Sequence, residues 1–405
     1  MDVHNKIKLR KTIKKIVNIL LVVVFMFKLS KKKAEAYIFA DKNKYDSIQV
    51  SLEKKTKIYL KSVEKKVITS NVSIIKGDDL YDMTKKAIGL LGGMKTIVKP
   101  GDKVFIKPNY ITGGLDGHDP VTAGEIPSPE VIAAVAEECV KAGAKEVIIG
   151  EWVERPLKIN FGGKRGKEGA QVKDLIDSLN KKYGHKIYLI NLMEYTSYFE
   201  YIPSKTILKY LAIPNIVAEA DVIISIPCLK THHRPSPVSL GMKNFMGIMP
   251  SILYGEPRYK LHEAGVHQVI VDINKALKPD LIVVAGGFGM EGPGASLFLG
   301  GRPVDVSTRA GKFLIIAGTD PVATDATATR LISKNWSPVP DNLNLGTPWY
   351  VHHIRMASEQ GLGVLDSSKI NIIGENLEDL KMNWEKSDDG VYPEIPGYEV
   401  NEGIH

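Results

Sequence analysis

The residues of this chain that could do chemistry gather in short runs that follow apolar ones. The densest run covers residues 225–250, where Lys230-Thr-His232-His-Arg234 is followed by Lys243-Asn244. It comes directly after Asp221-Val-Ile-Ile-Ser-Ile226, an apolar stretch of strand length. Pro227 ends that strand, because proline donates nothing to a sheet ladder. A second run, Lys107-Pro-Asn109, follows the apolar Val104-Phe-Ile106. A lysine there supplies a point charge for a carboxylate or phosphate, and an asparagine orients a polar group. Taken alone, the same pair reads as a turn lysine beside an Asx turn. Lys230 and His232 lie two apart, so an extended backbone points both to one face. His232, with an ordinary pKa of about 6.5, suits a general base or a metal ligand. Lys230 suits anion binding or, once desolvated, nucleophilic attack. His262, beside Glu263, offers a second imidazole. Two histidines with Glu291 or an aspartate would make a divalent-metal set, although the spacing fits no compact metal motif. The expected reacting residues are therefore Lys230, His232 and His262, with the two histidines as candidate metal ligands. Lys107, Asn109, Lys243, Asn244 and Glu291 are the expected substrate-binding residues.

Such residues need a frame that brings them together. Val72-Ser-Ile-Ile-Lys76, Val104-Phe-Ile106, Val147-Ile-Ile-Gly-Glu151, Tyr188-Leu-Ile-Asn191, the Asp221 run, residues 279–285, Phe313-Leu-Ile-Ile-Ala-Gly318 and Ile370-Asn-Ile-Ile-Gly374 read as strands. Helical spacing occupies residues 80–91, 129–142, 171–182, 266–277 and 321–332, with a further helix within 349–360. Asp78 or Asp79 can cap the first of these helices, and Ser128 the second, where Pro129 takes the favoured first position. Asp320 can cap the helix that contains Asp325. Strands alternating with helices predict an α/β fold, a mostly parallel sheet flanked by helices. Two lobes with a cleft at the carboxyl ends of the strands would fit this pattern, and ligands bind at such ends. Residues 194–211 show no clear period. The glycines of Gly289-Met-Glu291-Gly-Pro-Gly294 would let backbone approach a ligand closely, but they form neither a dinucleotide fingerprint nor a phosphate loop.

The formal net charge of the 405 residues is +8, yet it is not spread evenly. Much of the excess lies in residues 6–15, 28–33 and 54–66, so the body of the chain is not basic. With no zinc-finger or RNA-binding signature, the chain is not expected to bind nucleic acid. Residues 1–36 carry the parts of a secretory signal: a basic start, an apolar core at 16–27 and Ala34-Glu-Ala36 as a cleavage site. The core is shorter than the roughly 20 residues needed to span a bilayer. Lys28 and Lys31-Lys-Lys33 depart from the signal pattern. They fit an uncleaved anchor, or a membrane-surface segment over residues 1–33. The expectation is an exported protein with a Lys-rich linker at 37–70, an α/β domain at 71–375 and an irregular tail at 376–405. Cys139 and Cys228 could pair in an oxidising compartment. Two thiolates cannot furnish the four of an ordinary iron–sulfur cluster.

The ordered motifs resemble the family known as domain of unknown function 362. They are Gly101-Asp-Lys-Val-Phe-Ile-Lys-Pro-Asn109, the Ser128-Pro-Glu130 helix start, Ala142-Gly-Ala-Lys-Glu-Val147 and Ala220-Asp-Val-Ile-Ile-Ser-Ile-Pro-Cys-Leu-Lys-Thr-His232. Met242-Lys-Asn-Phe-Met-Gly-Ile248, His262, Gly289-Met-Glu-Gly-Pro-Gly294 and Gly318-Thr-Asp-Pro-Val-Ala-Thr-Asp325 continue them, so the resemblance covers residues 71–375. The resemblance implies an iron–sulfur label, from which this chain departs because it has no Cys-x-x-Cys. Residues 230–235 also resemble a stretch of nickel-cofactor lactate racemases, by analogy only. Together these readings lead to an exported enzyme acting on a small anionic compound, a carboxylate or phosphate, with a divalent metal as the candidate cofactor and without an iron–sulfur cluster. The alternative is a non-catalytic extracytoplasmic binding protein that uses the same residues.

Overall fold

The strands are β1 (Ser70–Gly77), β2 (Lys103–Pro108), β3 (Glu146–Glu151), β4 (Ile187–Asn191), β5 (Phe199–Pro203), β6 (Tyr210–Pro214), β7 (Val222–Ile226), β8 (Cys228–Lys230), β9 (Leu281–Glu291), β10 (Arg302–Asp305), β11 (Phe313–Gly318) and β12 (Ile370–Gly374). A computed structural model describes them within residues 69–110, 118–153, 171–232, 236–255, 258–294, 296–334, 336 and 347–386. The chain divides into units at residues 1–57 and 58–405, and every described residue lies in the second. The expected signal segment and most of the linker lie outside the described residues.

Ten strands form one sheet in the order β12-β1-β11-β9-β7-β2-β3-β4, with β8 and β10 also paired to β9. The five strands from β9 to β4 pair in parallel, while β11 and β10 run opposite to β9. The fold is the expected mixed α/β sheet flanked by helices. Buried parallel strands need apolar residues on both faces. Accordingly β7, with parallel neighbours on both sides, is buried at every position. One face is covered by α1 (Leu80–Leu90), α2 (Pro129–Ala142) and α3 (Val172–Tyr183). Their apolar sides, with Val131, Val135, Cys139 and Ile176, join Ile106, Ile149, Ile224 and Val283 of the sheet in one core. The other face carries the single turn α4 (Gly241–Asn244), with α5 (Val266–Leu277), α6 (Pro321–Ile332) and α7 (His352–Glu359).

After β2 the chain winds through β3 and β4 on one side. It then returns to place β7 on the other side of β2. The direction of winding therefore reverses between β2 and β7, and the crevice beyond their carboxyl ends is where α/β sheets bind ligands. The backbone N–H of Asn109 donates to the Ile226 carbonyl at 3.0 Å, which ties the two strand ends together.

Several local readings differ from the expectation. Residues 194–211 contain most of an antiparallel hairpin of β5 and β6, whose short strands carry no clean alternation. Strand β9 runs on through Gly286, Gly287 and Gly289 to Glu291 rather than stopping at 285. Its glycines admit protein backbone: a Cβ on Gly289 would lie 2.4 Å from the Leu229 carbonyl. Ser128 holds the N-cap position of α2 without a side-chain hydrogen bond. Cys139 and Cys228 are both free and buried. The start of the expected tail belongs to the fold, because Trp384 is only 1% exposed and covers Gly289.

Candidate functional site

Lys107 is the penultimate residue of β2, and its side chain is buried. Its Nζ donates to Glu151 Oε2 at 2.5 Å, the Pro108 carbonyl at 2.6 Å and Asn244 Oδ1 at 3.2 Å. Glu151 is the last residue of the neighbouring strand β3 and also accepts from the backbone N–H groups of Tyr110 and Trp152. Burial pushes the Lys107 amine down and the Glu151 carboxyl up, and each draws the other back toward its charged form. The pair leaves no room beside it. A Cβ on Gly247 would sit 2.5 Å from Glu151 Oε1 and 2.7 Å from Lys107 Nζ.

Asn109 and Asn244 connect this pair to Lys230. Asn109 Nδ2 donates to Asn244 Oδ1 at 3.3 Å, while Asn109 Oδ1 accepts from Lys230 Nζ at 2.8 Å. Asn244 Nδ2 donates to the Lys107 carbonyl and to Ser225 Oγ. Lys230 Nζ also donates to the Glu125 carbonyl at 2.8 Å. Burial lowers the Lys230 amine, opposed by Cys228, Glu125 and Glu151. Glu125 itself is held by His118 at 3.1 Å and by the Leu297 N–H at 2.9 Å. Gly124 before it has a positive φ and packs so closely on Gly289 that a Cβ would lie 2.0 Å from the Gly289 carbonyl. Only glycine tolerates both conditions.

Lys243 differs from the other two lysines. It is 8% exposed, and its Nζ meets no acceptor among the described residues. Burial, then the nearby Lys230 ammonium, brings its amine down to about 7. Turn α4 carries it, and Asp325 of α6 holds that turn: Oδ1 accepts from the Gly241 N–H at 2.8 Å and Oδ2 from the Met242 N–H at 2.9 Å. Burial pushes the Asp325 carboxyl up to about 7 against those two donors. Beyond Lys243 lies His353 of α7, fully buried, with Nδ1 at 3.3 Å from Ser236 Oγ. Its Nε2 has no hydrogen-bond partner among the described residues. Burial, followed by the charges of His267 and Lys243, holds His353 well below the usual histidine range. His267 stacks on it at 5.9 Å.

The structure thus joins Lys107, Asn109, Lys230 and Asn244 in one hydrogen-bonded cluster, with Lys243 in electrostatic reach. His232 is buried two residues past Lys230, and its backbone N–H donates to the Pro237 carbonyl at 3.0 Å. His262 lies on a one-turn helix, Tyr259–Glu263, that leads toward α5, and no described contact joins it to His232. Glu291 faces Arg309, with Oε1 at 2.8 Å from Nη2, and accepts from the Glu385 N–H. Its partners are not those of the lysine cluster. Among the described residues no group of three or more His, Cys, Asp or Glu side chains converges as a metal set.

Sequence reasoning passed over Glu151, Glu125 and His353, and placed Asp325 inside its helix without assigning it a site role. Glu151 ends a strand beside Lys107, so the rule that singled out Lys107 also covers it. His353 and Asp325 carried no local signal, since distant packing alone brings them near α4.

The profile described as "Domain of unknown function (DUF362)" matches residues 104–330. A thylakoid-associated protein of Synechocystis sp. is 30% identical over 257 residues, which are 62% of this chain and 69% of that protein. Among solved structures, lactate racemase apoprotein from Thermoanaerobacterium thermosaccharolyticum is similar at a TM-score of 0.30 and 12% identity. That match spans 55% of this chain and 51% of the racemase chain, and it is too slight to carry residue roles across.

Proposed function

The chain belongs to the DUF362 family, and on that premise we propose that it is an enzyme acting on a small anionic compound, a carboxylate or a phosphate. The single observation that supports this most is Lys243, a lysine only 8% exposed whose Nζ makes no hydrogen bond to a described residue, on the same turn as Asn244 of the lysine cluster. Burying a cationic group without a partner destabilises a protein, and such an arrangement is retained where a ligand supplies the missing charge. Lys230 and Lys243 would bind the anion. Asn109 and Asn244 orient the lysines, and the Lys107–Glu151 pair holds the ends of β2 and β3 in register. His232, two residues past Lys230, and His353, whose ring senses the Lys243 charge, are the candidate imidazoles for moving protons. His232 with His262 as a divalent-metal pair stays a proposal for which a third ligand would have to be found. For residues 1–33, export or membrane-surface attachment is the matching proposal, and the membrane system in the name of the Synechocystis relative accords with it.

The test is a thermal-shift screen of the full chain against small carboxylates and phosphates, followed by turnover assays on each hit. Ligands that bind N only raise Tm by mass action. The reading expects stabilisation by at least one anion that Lys243→Met loses. Uncharged analogues stabilising equally well would sink it.

A further inference from the structure

We infer that the tip of the β5–β6 hairpin, residues 203–210, docks on a membrane surface that carries anionic lipid headgroups. This stands apart from the anion site above. The register sets Pro203 directly opposite Tyr210, and the loop between them carries Lys205, Ile207 and Lys209. Ile207 is 80% exposed, and Tyr210 and both lysines are exposed with it. One exposed isoleucine is ordinary. Here it shares a hairpin tip with a proline, a tyrosine and two cations, and no Asp or Glu occurs from Tyr201 to Ala218. The carboxylate that meets the tip is Asp272 of α5. It is buried and already accepts from Ser204 Oγ, the Lys205 N–H and Gln268 Nε2. Lys205 Nζ donates to the neutral Gln360 Oε1 at 3.2 Å, which leaves its charge in place for an anionic surface.

The backbone of the tip suits an interface. A backbone polar group taken out of water must be satisfied within the protein. The Ser204 N–H donates to the Lys209 carbonyl at 2.7 Å, the Lys209 N–H to the Thr206 carbonyl at 3.0 Å and the Tyr210 N–H to the Leu208 carbonyl at 2.6 Å. The Thr206 N–H donates to Ser204 Oγ at 3.1 Å and the Leu208 N–H to Thr206 Oγ1 at 3.3 Å. With Lys205 on Asp272, six of the seven N–H groups from Ser204 to Tyr210 are bonded inside the protein. A loop held in this way loses little freedom on docking. The chemistry of the tip matches a headgroup layer: isoleucine enters the acyl boundary, tyrosine sits at headgroup level and lysines reach the phosphates. A second apolar point, Ile252, is 78% exposed on the turn Ser251–Tyr254, which Tyr254 ties to β6 by accepting from the Ala212 N–H at 2.7 Å. A second copy of the chain fits less well, because a two-fold contact would set Lys205 and Lys209 against the same lysines. Stable attachment takes two signals. The tip supplies one from the folded body, beside the one proposed for residues 1–33.

The experiment places an environment-sensitive fluorophore on Ile207→Cys in the full chain, with Ser178→Cys on α3 as the control. Cys139 and Cys228 are buried and stay unlabelled. Each protein is mixed with vesicles of phosphatidylcholine and phosphatidylglycerol, and with vesicles of phosphatidylcholine alone. We expect a blue shift and brighter emission at position 207, not at 178, on the anionic vesicles. In cosedimentation of the unlabelled chain, Lys205→Gln and Lys209→Gln should each weaken binding about fivefold. Ile207→Ser should weaken it roughly tenfold. Binding without a change at position 207 would overturn the docking tip and leave residues 1–33 as the attachment. Equal changes at 207 and 178, or an equal response to phosphatidylcholine alone, would overturn it too. A shift at 207 that grows with protein concentration in the absence of vesicles would assign the tip to a second copy instead. No binding to either vesicle would overturn both attachments.

Discussion

Lys107 meets Glu151 at 2.5 Å, whereas Lys243 meets no acceptor, so two buried lysines of the same site should respond oppositely to removal. In Lys107→Met the Glu151 carboxylate stays buried without its cation, which costs about 3–5 kcal/mol. Denaturant midpoints should show that loss, and it should shrink at acid pH, where Glu151 takes a proton. Lys243→Met removes a group that burial disfavours and breaks no hydrogen bond. It should stabilise the ligand-free protein by roughly 2–4 kcal/mol, since each pKa unit is worth about 1.4 kcal/mol. The pH sign follows from the lowered Lys243 amine. Between about 7 and its ordinary value of 10.5, the folded chain binds fewer protons at this site than the unfolded chain. Stability therefore rises with pH across that window. The Tm advantage of Lys243→Met should be largest at or below pH 7 and fade toward pH 10. An advantage that stays constant with pH would mean that Lys243 is not the desolvated group.

Turn α4 is where the elements decide the site. It is a single turn, too short to stand by propensity alone, and two hydrogen bonds to Asp325 and the close seat of Gly247 hold its surroundings. Gly247→Ala would drive a methyl group into the Lys107–Glu151 pair. We expect it to cost about 1–3 kcal/mol, as overpacking does, and to weaken anion binding along with stability. A variant with parental Tm and parental ligand response would contradict the packing described. At this scale the sequence was most legible in the strands and long helices, whose apolar runs and caps set them out within a residue or two. Lys107, Asn109, Lys230 and Asn244 were legible for the same reason, because each follows an apolar run directly or by a short loop. The β5–β6 hairpin, the extension of β9 through its glycines and the Asp325 anchor were not legible. Each depends on contacts between residues far apart in the chain.

Over the molecule as a whole, the reversal of winding between β2 and β7 brings together residues more than a hundred positions apart. The return of the chain through residues 382–385 then closes the β9 side. Trp384 packs over Gly289, and the Glu385 carbonyl accepts from the Gly292 N–H. Polar residues around it made this stretch read as an irregular tail, and one buried indole is a weak sequence signal. Trp384→Ala should cost about 3–5 kcal/mol, as loss of a buried aromatic does, with a matching fall in the urea midpoint. The basic excess that gives the chain its net charge of +8 lies largely outside the described residues.

The account turns on an anion entering beside Lys243 and restoring its proton. Isothermal titration of the full chain with inorganic phosphate and with small carboxylates at pH 7.5, in buffers of different ionisation enthalpy, measures that directly. The account predicts saturable binding with net proton uptake, lost in Lys243→Met. Binding without proton uptake, or binding that the variant retains, would contradict it.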